Sequence, residues 1–177
     1  MQPIDYDRLT AEAEAMAEQF QNASPFPHIV IDNFLPLDLV ARLNAHFPDI
    51  SAKKKAGSGH LPVYLDDGSE AQLGKEWLSR ERLVPFIYRR LYWELNNYPF
   101  VGLLEKITGI AGLIADPHLA GGGVHSTKPG GYLKVHADFN KHPTLALDRR
   151  LNLLIYLNED WLPEYGGDLE LWTADMG

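Results

Sequence analysis

The sequence predicts an α+β fold, with a mainly helical part over residues 1–110 and an antiparallel sheet over 111–177. In the first part, apolar residues recur at helical spacing. In the second, short apolar or alternating runs are separated by Gly and Pro. Such runs favour an antiparallel sandwich or jelly roll over parallel βαβ units. The length of 177 residues favours a single domain.

Several helices are predicted in the first part, because apolar residues recur there three and four positions apart. We expect a peripheral helix over residues 5–21 and a second helix over 35–48, with a short strand over 27–34 between them. Two further helices are expected over 77–96 and 100–108, the last one closed by a glycine.

A long loop is predicted at residues 51–74. This stretch contains three successive lysines and several glycines and shows no sustained apolar period, which is typical of a loop or flap. Because long loops in compact domains often carry function, we expect this one to flank a functional site.

The part after residue 110 alternates between strand-like runs and turn signals. Hairpin breaks are expected at Lys128-Pro129-Gly130 and Tyr165-Gly166-Gly167. The triplet Gly121-Gly122-Gly123 lacks the lysine ending of a phosphate-binding loop, so it predicts a bulged or closely packed strand. The predicted strands cover residues 112–115, 120–127, 130–138, 151–160 and 166–172.

The composition excludes several functional classes. Sixteen Lys and Arg against 24 Asp and Glu give a net charge of −8, which argues against a nucleic-acid partner. The chain has no cysteine, so any metal site must use His, carboxylate or water. We find neither a signal peptide nor an apolar run long enough for a membrane span, and we expect a cytoplasmic protein without a membrane partner.

The most informative motif is the pair His136 and Asp138. The two residues lie two apart on a predicted strand, so they project from the same face. One imidazole and one carboxylate then converge on one point, and they are two of the three ligands of the 2-His-1-carboxylate triad that holds Fe(II) in oxygenases. Taken alone, the pair also fits a structural histidine hydrogen-bonded to an aspartate.

The sequence around this pair resembles a known family. The order of its motifs is similar to that of the Fe(II)- and 2-oxoglutarate-dependent oxygenases of the prolyl-hydroxylase-like superfamily. The resemblance covers about residues 121–172, and residues 31–44 also look like the N-terminal lead-in segment of bacterial members. In chain order the motifs are His136-x-Asp138, an arginine, Tyr156-Leu157-Asn158, Trp161 and Gly166-Gly167-Asp168-Leu169.

The resemblance implies a fold, cofactors and a chemistry. It implies a double-stranded β-helix (jelly roll) core with the N-terminal helices packed on it. Fe(II) would be held by His136 and Asp138, with 2-oxoglutarate and O2 as co-substrates and no catalytic residue beyond the metal ligands. The implied reaction hydroxylates a peptidyl substrate, prolyl residues included, or a small molecule, and releases succinate and CO2.

Four further residues are candidate site residues. Tyr156 shares a strand face with Asn152, and the resemblance implies that both bind the co-substrate, the Tyr156 hydroxyl donating to a carboxylate of 2-oxoglutarate. The resemblance also places His125 near the co-substrate pocket. Asn140 lies in a loop expected to contact the substrate. A core role for Tyr156 and a structural role for His125 stay open.

One departure from the family pattern concerns the third iron ligand. The family has a second His on a later strand and, beyond it, an Arg or Lys that pairs with the far carboxylate of 2-oxoglutarate. Neither occurs before Gly177. We therefore expect the natural protein to continue with C-terminal strands that carry them, with His125 or His142 as alternatives for the third ligand.

Two other functions stay open. A non-catalytic jelly-roll binding module would share the shape but lack a complete iron site. A metal-dependent cupin would share the barrel but does not explain the motifs that follow Asp138. A homo-oligomer is also open, because strands without partners favour pairing with another chain.

Overall fold

The computed structural model describes residues 3–53, 71–116, 118–120 and 122–175 of the chain. These residues form an α+β structure, as the sequence predicts. In chain order the elements are α1 (Tyr6–Asn22), α2 (Leu37–Ala45), α3 (Ile50–Lys53), β1 (Gln72–Leu78), α4 (Phe86–Leu95), α5 (Tyr98–Thr108) and β2 (Val124–Leu133). Short 3-10 turns occur at Glu81–Leu83 and Pro163–Tyr165.

The described residues divide into two compact units, which we call the helical unit and the sheet unit. The single-domain organisation stays a prediction. The helical unit contains residues 3–47, 86–116 and 171–175, and the sheet unit contains residues 48–53, 71–85, 118–120 and 122–170. Among the described residues, no helix combines the length and apolarity needed to cross a bilayer.

Helix α1 confirms the peripheral helix predicted over residues 5–21. Asp5 is its N-cap, and the Asp5 carboxylate accepts a hydrogen bond from the Arg8 backbone N–H at 3.0 Å. This contact satisfies one of the donors that the start of a helix leaves open. The buried face of α1 consists of Leu9, Ala13 and Met16.

Helix α2 confirms the helix predicted over residues 35–48 and buries Leu39 and Leu43. The strand predicted over 27–34 is absent, since these residues form bends, turns and irregular structure. Their apolar residues alternate as in a strand. However, a strand also needs a neighbouring backbone to pair with, and the described residues provide none.

Helix α5 confirms the helix predicted over residues 100–108. The Asn97 side chain caps it by accepting a hydrogen bond from the Phe100 backbone N–H at 3.0 Å. Gly109 follows it in the left-handed conformation, with φ 72°, which a residue without Cβ adopts at little cost. Both ends of α5 are therefore fixed by local sequence.

The core of the helical unit lies where α1 packs against α5. Phe100 and Ile107 of α5 and Leu9 of α1 are buried, as is Leu43 of α2. The Tyr88 hydroxyl donates a hydrogen bond to the Leu43 carbonyl oxygen at 2.8 Å, joining α4 to α2. Burial raises the pKa of Tyr88 to about 12. Apolar packing and specific polar contacts thus fix the same helices.

In the sheet unit, β1 and β2 form a two-stranded antiparallel sheet. Leu73 pairs with Tyr132 and Lys75 pairs with Thr127, so residues 128–131 of β2 form a bulge. The hairpin break predicted at Lys128-Pro129-Gly130 is therefore wrong. β2 pairs with β1 on both sides of this segment, and Lys128, Pro129 and Gly130 lie in the bulge instead of forming a turn between two strands.

Strand β1 lies where the sequence predicts the end of a loop, over 51–74, and the start of a helix, over 77–96. Both predictions are wrong for residues 72–78, and residues 51–53 belong to α3. The buried face of β1 carries Glu76 beside Leu78, and a buried acid hides the alternation that signals a strand. Residues 54–70 of the predicted loop lie outside the described residues.

Glu76 is only 4% exposed, and its charge is satisfied inside the sheet unit. Its carboxylate accepts a hydrogen bond from the Ser51 hydroxyl at 2.8 Å and pairs with the Lys128 ammonium at 3.1 Å. Buried carboxylates need such partners, because an unpaired charge is costly to remove from water. The bulge of β2 thus supplies a partner for the buried acid of β1.

Gly123 lies just before β2 and is closely packed, as the glycine triplet predicts, although Gly122 and Gly123 are not part of the strand and Gly121 lies outside the described residues. Its φ is 132°, and a Cβ at this position would lie 2.5 Å from the Leu78 carbonyl oxygen. A larger residue would clash with the backbone of β1.

After β2, residues 134–175 form no further strand, apart from an isolated bridge between Lys141 and Asp148. The strands predicted over 112–115, 151–160 and 166–172 are not seen among the described residues. Those predicted over 120–127 and 130–138 merge into β2. A strand requires a hydrogen-bonded neighbour, and within the described part of the chain β1 and β2 pair only with each other.

Candidate metal centre

His136 lies shortly after β2, and the local chain fixes its ring. The Nδ1 atom lies 2.7 Å from the Lys134 carbonyl oxygen. Since a carbonyl oxygen can only accept, Nδ1 carries the ring proton, and Nε2 keeps its lone pair in the neutral ring. Metal-binding histidines usually donate their other N–H in this way. His136 therefore has the tautomer that a metal ligand needs.

Asp138 faces that nitrogen, with Oδ1 3.4 Å from the His136 Nε2. A protonated ring would form an ion pair with Asp138 at this distance. In the neutral ring, the Nε2 lone pair faces a carboxylate lone pair, which favours a cation between them. Donors at right angles on a metal about 2.1 Å away are about 3 Å apart, close to the observed separation. Both side chains are accessible, with 35% and 45% exposure. The two residues fit a shared metal ion.

The predicted pair is thus brought together, but by a different local structure. The sequence predicts both residues on a strand, whereas β2 ends at Leu133 and a bend follows at Val135. The two side chains meet across this irregular segment rather than on a pleated face.

The second oxygen of Asp138 has other neighbours. Oδ2 lies 3.2 Å from Nη2 of Arg149 and accepts a hydrogen bond from Nδ2 of Asn152 at 3.1 Å. The Arg149 guanidinium also lies over the Phe139 ring, 4.5 Å from its centroid. The carboxylate therefore has one oxygen towards His136 and one towards two side-chain donors.

A short loop returns the chain to Asp138. The Arg149 backbone N–H donates to the Asn140 carbonyl oxygen at 2.8 Å, and the adjacent residues Lys141 and Asp148 form an antiparallel bridge. The Lys141 ammonium also pairs with the Asp148 carboxylate and lowers the pKa of Asp148. These contacts close a hairpin-like loop that places Arg149 beside Asp138.

His142 organises the inside of this loop. Its Nδ1 accepts hydrogen bonds from the Thr144 and Leu145 backbone N–H groups at 3.2 and 3.0 Å. His142 is half-buried, and its Nδ1 lone pair stabilises a turn. Among the described residues, no three His, Asp or Glu side chains form a group that could hold a metal.

His125 lies on β2 as predicted, opposite Trp77 of β1. Its ring is exposed on the sheet, yet desolvation by the surrounding protein and the charge of Lys75 lower the pKa of His125. Burial also lowers the pKa of Lys75, while the negative charge of Asp138 acts in the opposite direction. His125 and Asp138 therefore both lie within electrostatic reach of the Lys75 ammonium.

Of the other predicted site residues, the structure brings Asn152 to the pair, as a donor to Asp138. Tyr156 is largely exposed, and its hydroxyl makes no hydrogen bond within the described part of the chain. Asn140 contributes its backbone carbonyl to Arg149, and its side chain is exposed. The co-substrate and substrate roles of these residues stay predictions.

Sequence reasoning missed Arg149 and Lys75. The motif order of the resemblance includes an arginine, but the sequence does not predict that Arg149 contacts Asp138. A usable signal lies in the opposite charges of Lys141 and Asp148, which flank a loop that contains Pro143. Such a pair predicts a hairpin that returns Arg149 to Asp138.

Comparison with protein families gives one match. Residues 122–176 match the family described as the 2OG-Fe(II) oxygenase superfamily. This segment spans about a third of the chain and includes His136, Asp138, Arg149 and Asn152. That family uses Fe(II), 2-oxoglutarate and O2, and the match supports an oxidoreductase. No curated protein and no solved structure matches the chain.

Proposed function

We propose that His136 and Asp138 belong to the iron centre of a 2-oxoglutarate-dependent oxygenase of the prolyl-hydroxylase-like type, built on a jelly-roll core. The observation that carries the proposal is the 3.4 Å approach of Nε2 and Oδ1, within the segment that matches the oxygenase family. The reaction is hydroxylation of a peptidyl substrate, prolyl residues included, or of a small molecule, with release of succinate and CO2.

Bound Fe(II) and 2-oxoglutarate supply the oxidising chemistry. The chain's own residues bind and orient these two groups. The neutral His136 ring offers the Nε2 lone pair, which its Nδ1 contact with Lys134 keeps free. Asp138 offers one oxygen and the negative charge that favours a divalent cation. The family pattern requires a second histidine as third ligand, and among the described residues no third His, Asp or Glu lies with the pair.

Positive charge near the pair supports an anionic co-substrate. The Lys75 ammonium lies within electrostatic reach of Asp138, and the Arg149 guanidinium contacts the Asp138 carboxylate directly. 2-Oxoglutarate carries two carboxylates, so these cations favour its approach. Tyr156 and His125 are proposed to line its binding site, and Asn140 to contact the substrate.

Succinate formation from 2-oxoglutarate under air with Fe(II) tests the proposal. We expect turnover by the complete natural protein and its loss in His136→Ala and Asp138→Ala. His28→Ala is the matched control, because the His28 Nδ1 also lies 2.8 Å from the carbonyl oxygen two residues before it. Equal turnover in all variants would contradict the proposal. A chain that shows neither turnover nor metal-dependent binding of 2-oxoglutarate would instead be a binding module.

A further inference from the structure

Asp138 uses its two carboxylate oxygens for different purposes. Oδ1 faces the His136 Nε2 at 3.4 Å. Oδ2 contacts the Arg149 guanidinium at 3.2 Å and the Asn152 amide at 3.1 Å. Both of these donors gather on the oxygen that does not face the histidine.

We propose that Arg149 and Asn152 are positioning residues, which hold Asp138 so that it binds a metal ion through Oδ1 alone. This inference rests on the proposed function, because His136 and Asp138 must hold the metal for the orientation of Asp138 to matter.

Arg149 is held in place independently of Asp138. Its guanidinium lies over the Phe139 ring at 4.5 Å, and its backbone N–H is fixed by the Asn140 carbonyl oxygen. Its side chain is only 22% exposed. A planar guanidinium can stack and donate at the same time, which a lysine ammonium cannot do. Arg149 is thus a preorganised donor.

Asn152 provides a second donor without a charge. If Asp138 turned to bind a metal through both oxygens, Oδ2 would weaken or lose its contacts with Arg149 and Asn152. A carboxylate that binds through two oxygens also takes up an additional coordination position. Holding Oδ2 therefore keeps that position open for a co-substrate.

The direction of the effect on metal affinity separates positioning from simple electrostatics. Arg149 is positive, so removing its charge would by itself strengthen the binding of a cation at Asp138. Loss of positioning acts in the opposite direction, because outer partners of metal ligands typically contribute 10- to 100-fold to affinity. A weaker affinity in Arg149→Gln is thus the signature of positioning.

The test is Mn(II) binding to the complete natural protein, measured through the electron paramagnetic resonance signal of free Mn(II). We expect Arg149→Gln and Asn152→Ala each to weaken binding about tenfold, and Arg149→Lys to restore it only in part. The control Arg150→Gln removes the same charge from the next residue, and we expect binding to be equal or slightly stronger. Circular dichroism should show the same fold in all variants.

The outcomes are distinguishable. Unchanged or tighter binding in both Arg149→Gln and Asn152→Ala overturns the inference, and Asn152→Ala decides alone if Arg149→Gln does not fold. If His136→Ala abolishes binding while these two variants bind normally, only the inference fails. If His136→Ala binds as the wild type does, or the wild type binds no Mn(II) at millimolar concentration, the proposed function fails with it.

Discussion

The helical unit and the segment that carries the candidate metal centre are stabilised by different forces. In the helical unit, side chains such as Leu9, Leu43 and Phe100 are almost completely buried. In residues 134–170 no side chain is buried, and several large apolar ones are exposed. There the contacts that give shape are polar, such as those of Asp138 with Arg149 and Asn152.

This difference shows that the geometry of the site does not depend on a core beneath it. Burial of apolar area supplies most of the stability of a folded unit. Exposed ion pairs contribute little to stability, but they can still fix the direction of a side chain. Substitutions in the two regions should therefore separate effects on folding from effects on metal binding.

The largest contrast is expected between Phe100→Ala and Leu154→Ala. Phe100 is 2% exposed and Leu154 is 53% exposed. Truncating a buried Phe costs about 3–5 kcal/mol in free energy of unfolding, whereas exposed positions usually change it by less than about 0.5 kcal/mol. Urea denaturation measures both values. Similar losses in the two variants would contradict the comparison.

A smaller contrast is expected between two glycines. In Gly123→Ala, the new Cβ would lie 2.5 Å from the Leu78 carbonyl oxygen, so we expect a destabilisation of about 1–3 kcal/mol. Gly102 lies in α5 with open space around it, and Gly102→Ala should stabilise by about 0.5–1 kcal/mol. Thermal denaturation compares the two variants. An unchanged stability of Gly123→Ala would show that the backbone near Leu78 shifts to accommodate the new Cβ.

The smallest effect is a pH dependence from His125. Its pKa in the folded state is lowered by desolvation and by the charge of Lys75, so below about pH 6.5 the unfolded state binds more protons. The free energy of unfolding should therefore fall as the pH decreases through this window, and His125→Gln should reduce that slope. Urea titrations at about pH 5 and pH 7.5 measure it. Equal slopes of the free energy of unfolding against pH in the wild type and in His125→Gln would contradict the assigned environment of His125.

The sequence predicts the helical unit well, because its signals are local. The Asp5 and Asn97 caps and the glycine after α5 each act within one turn of their helix. Apolar spacing of three and four residues locates the buried faces of α1 and α2. These features need no knowledge of distant residues.

The sheet unit was harder to predict, because its elements depend on distant partners. β1 carries the buried Glu76, whose partners Ser51 and Lys128 lie far away in sequence. The apolar run over 151–160 alternates as a strand does, yet no described backbone pairs with it. The sequence predicts His136 and Asp138 as a pair because only one residue separates them, whereas Arg149 reaches Asp138 only through a loop.

The most direct test of the central claim compares Mn(II) binding by His136→Ala and His28→Ala. Both rings have Nδ1 against a backbone carbonyl oxygen two residues earlier. Of these two rings, only that of His136 also faces a carboxylate of a described residue. We expect His136→Ala to weaken binding by more than about 100-fold, beyond the effect of losing an outer partner, and His28→Ala to bind as the wild type does. Equal affinities in the two variants would show that His136 and Asp138 do not form a metal centre.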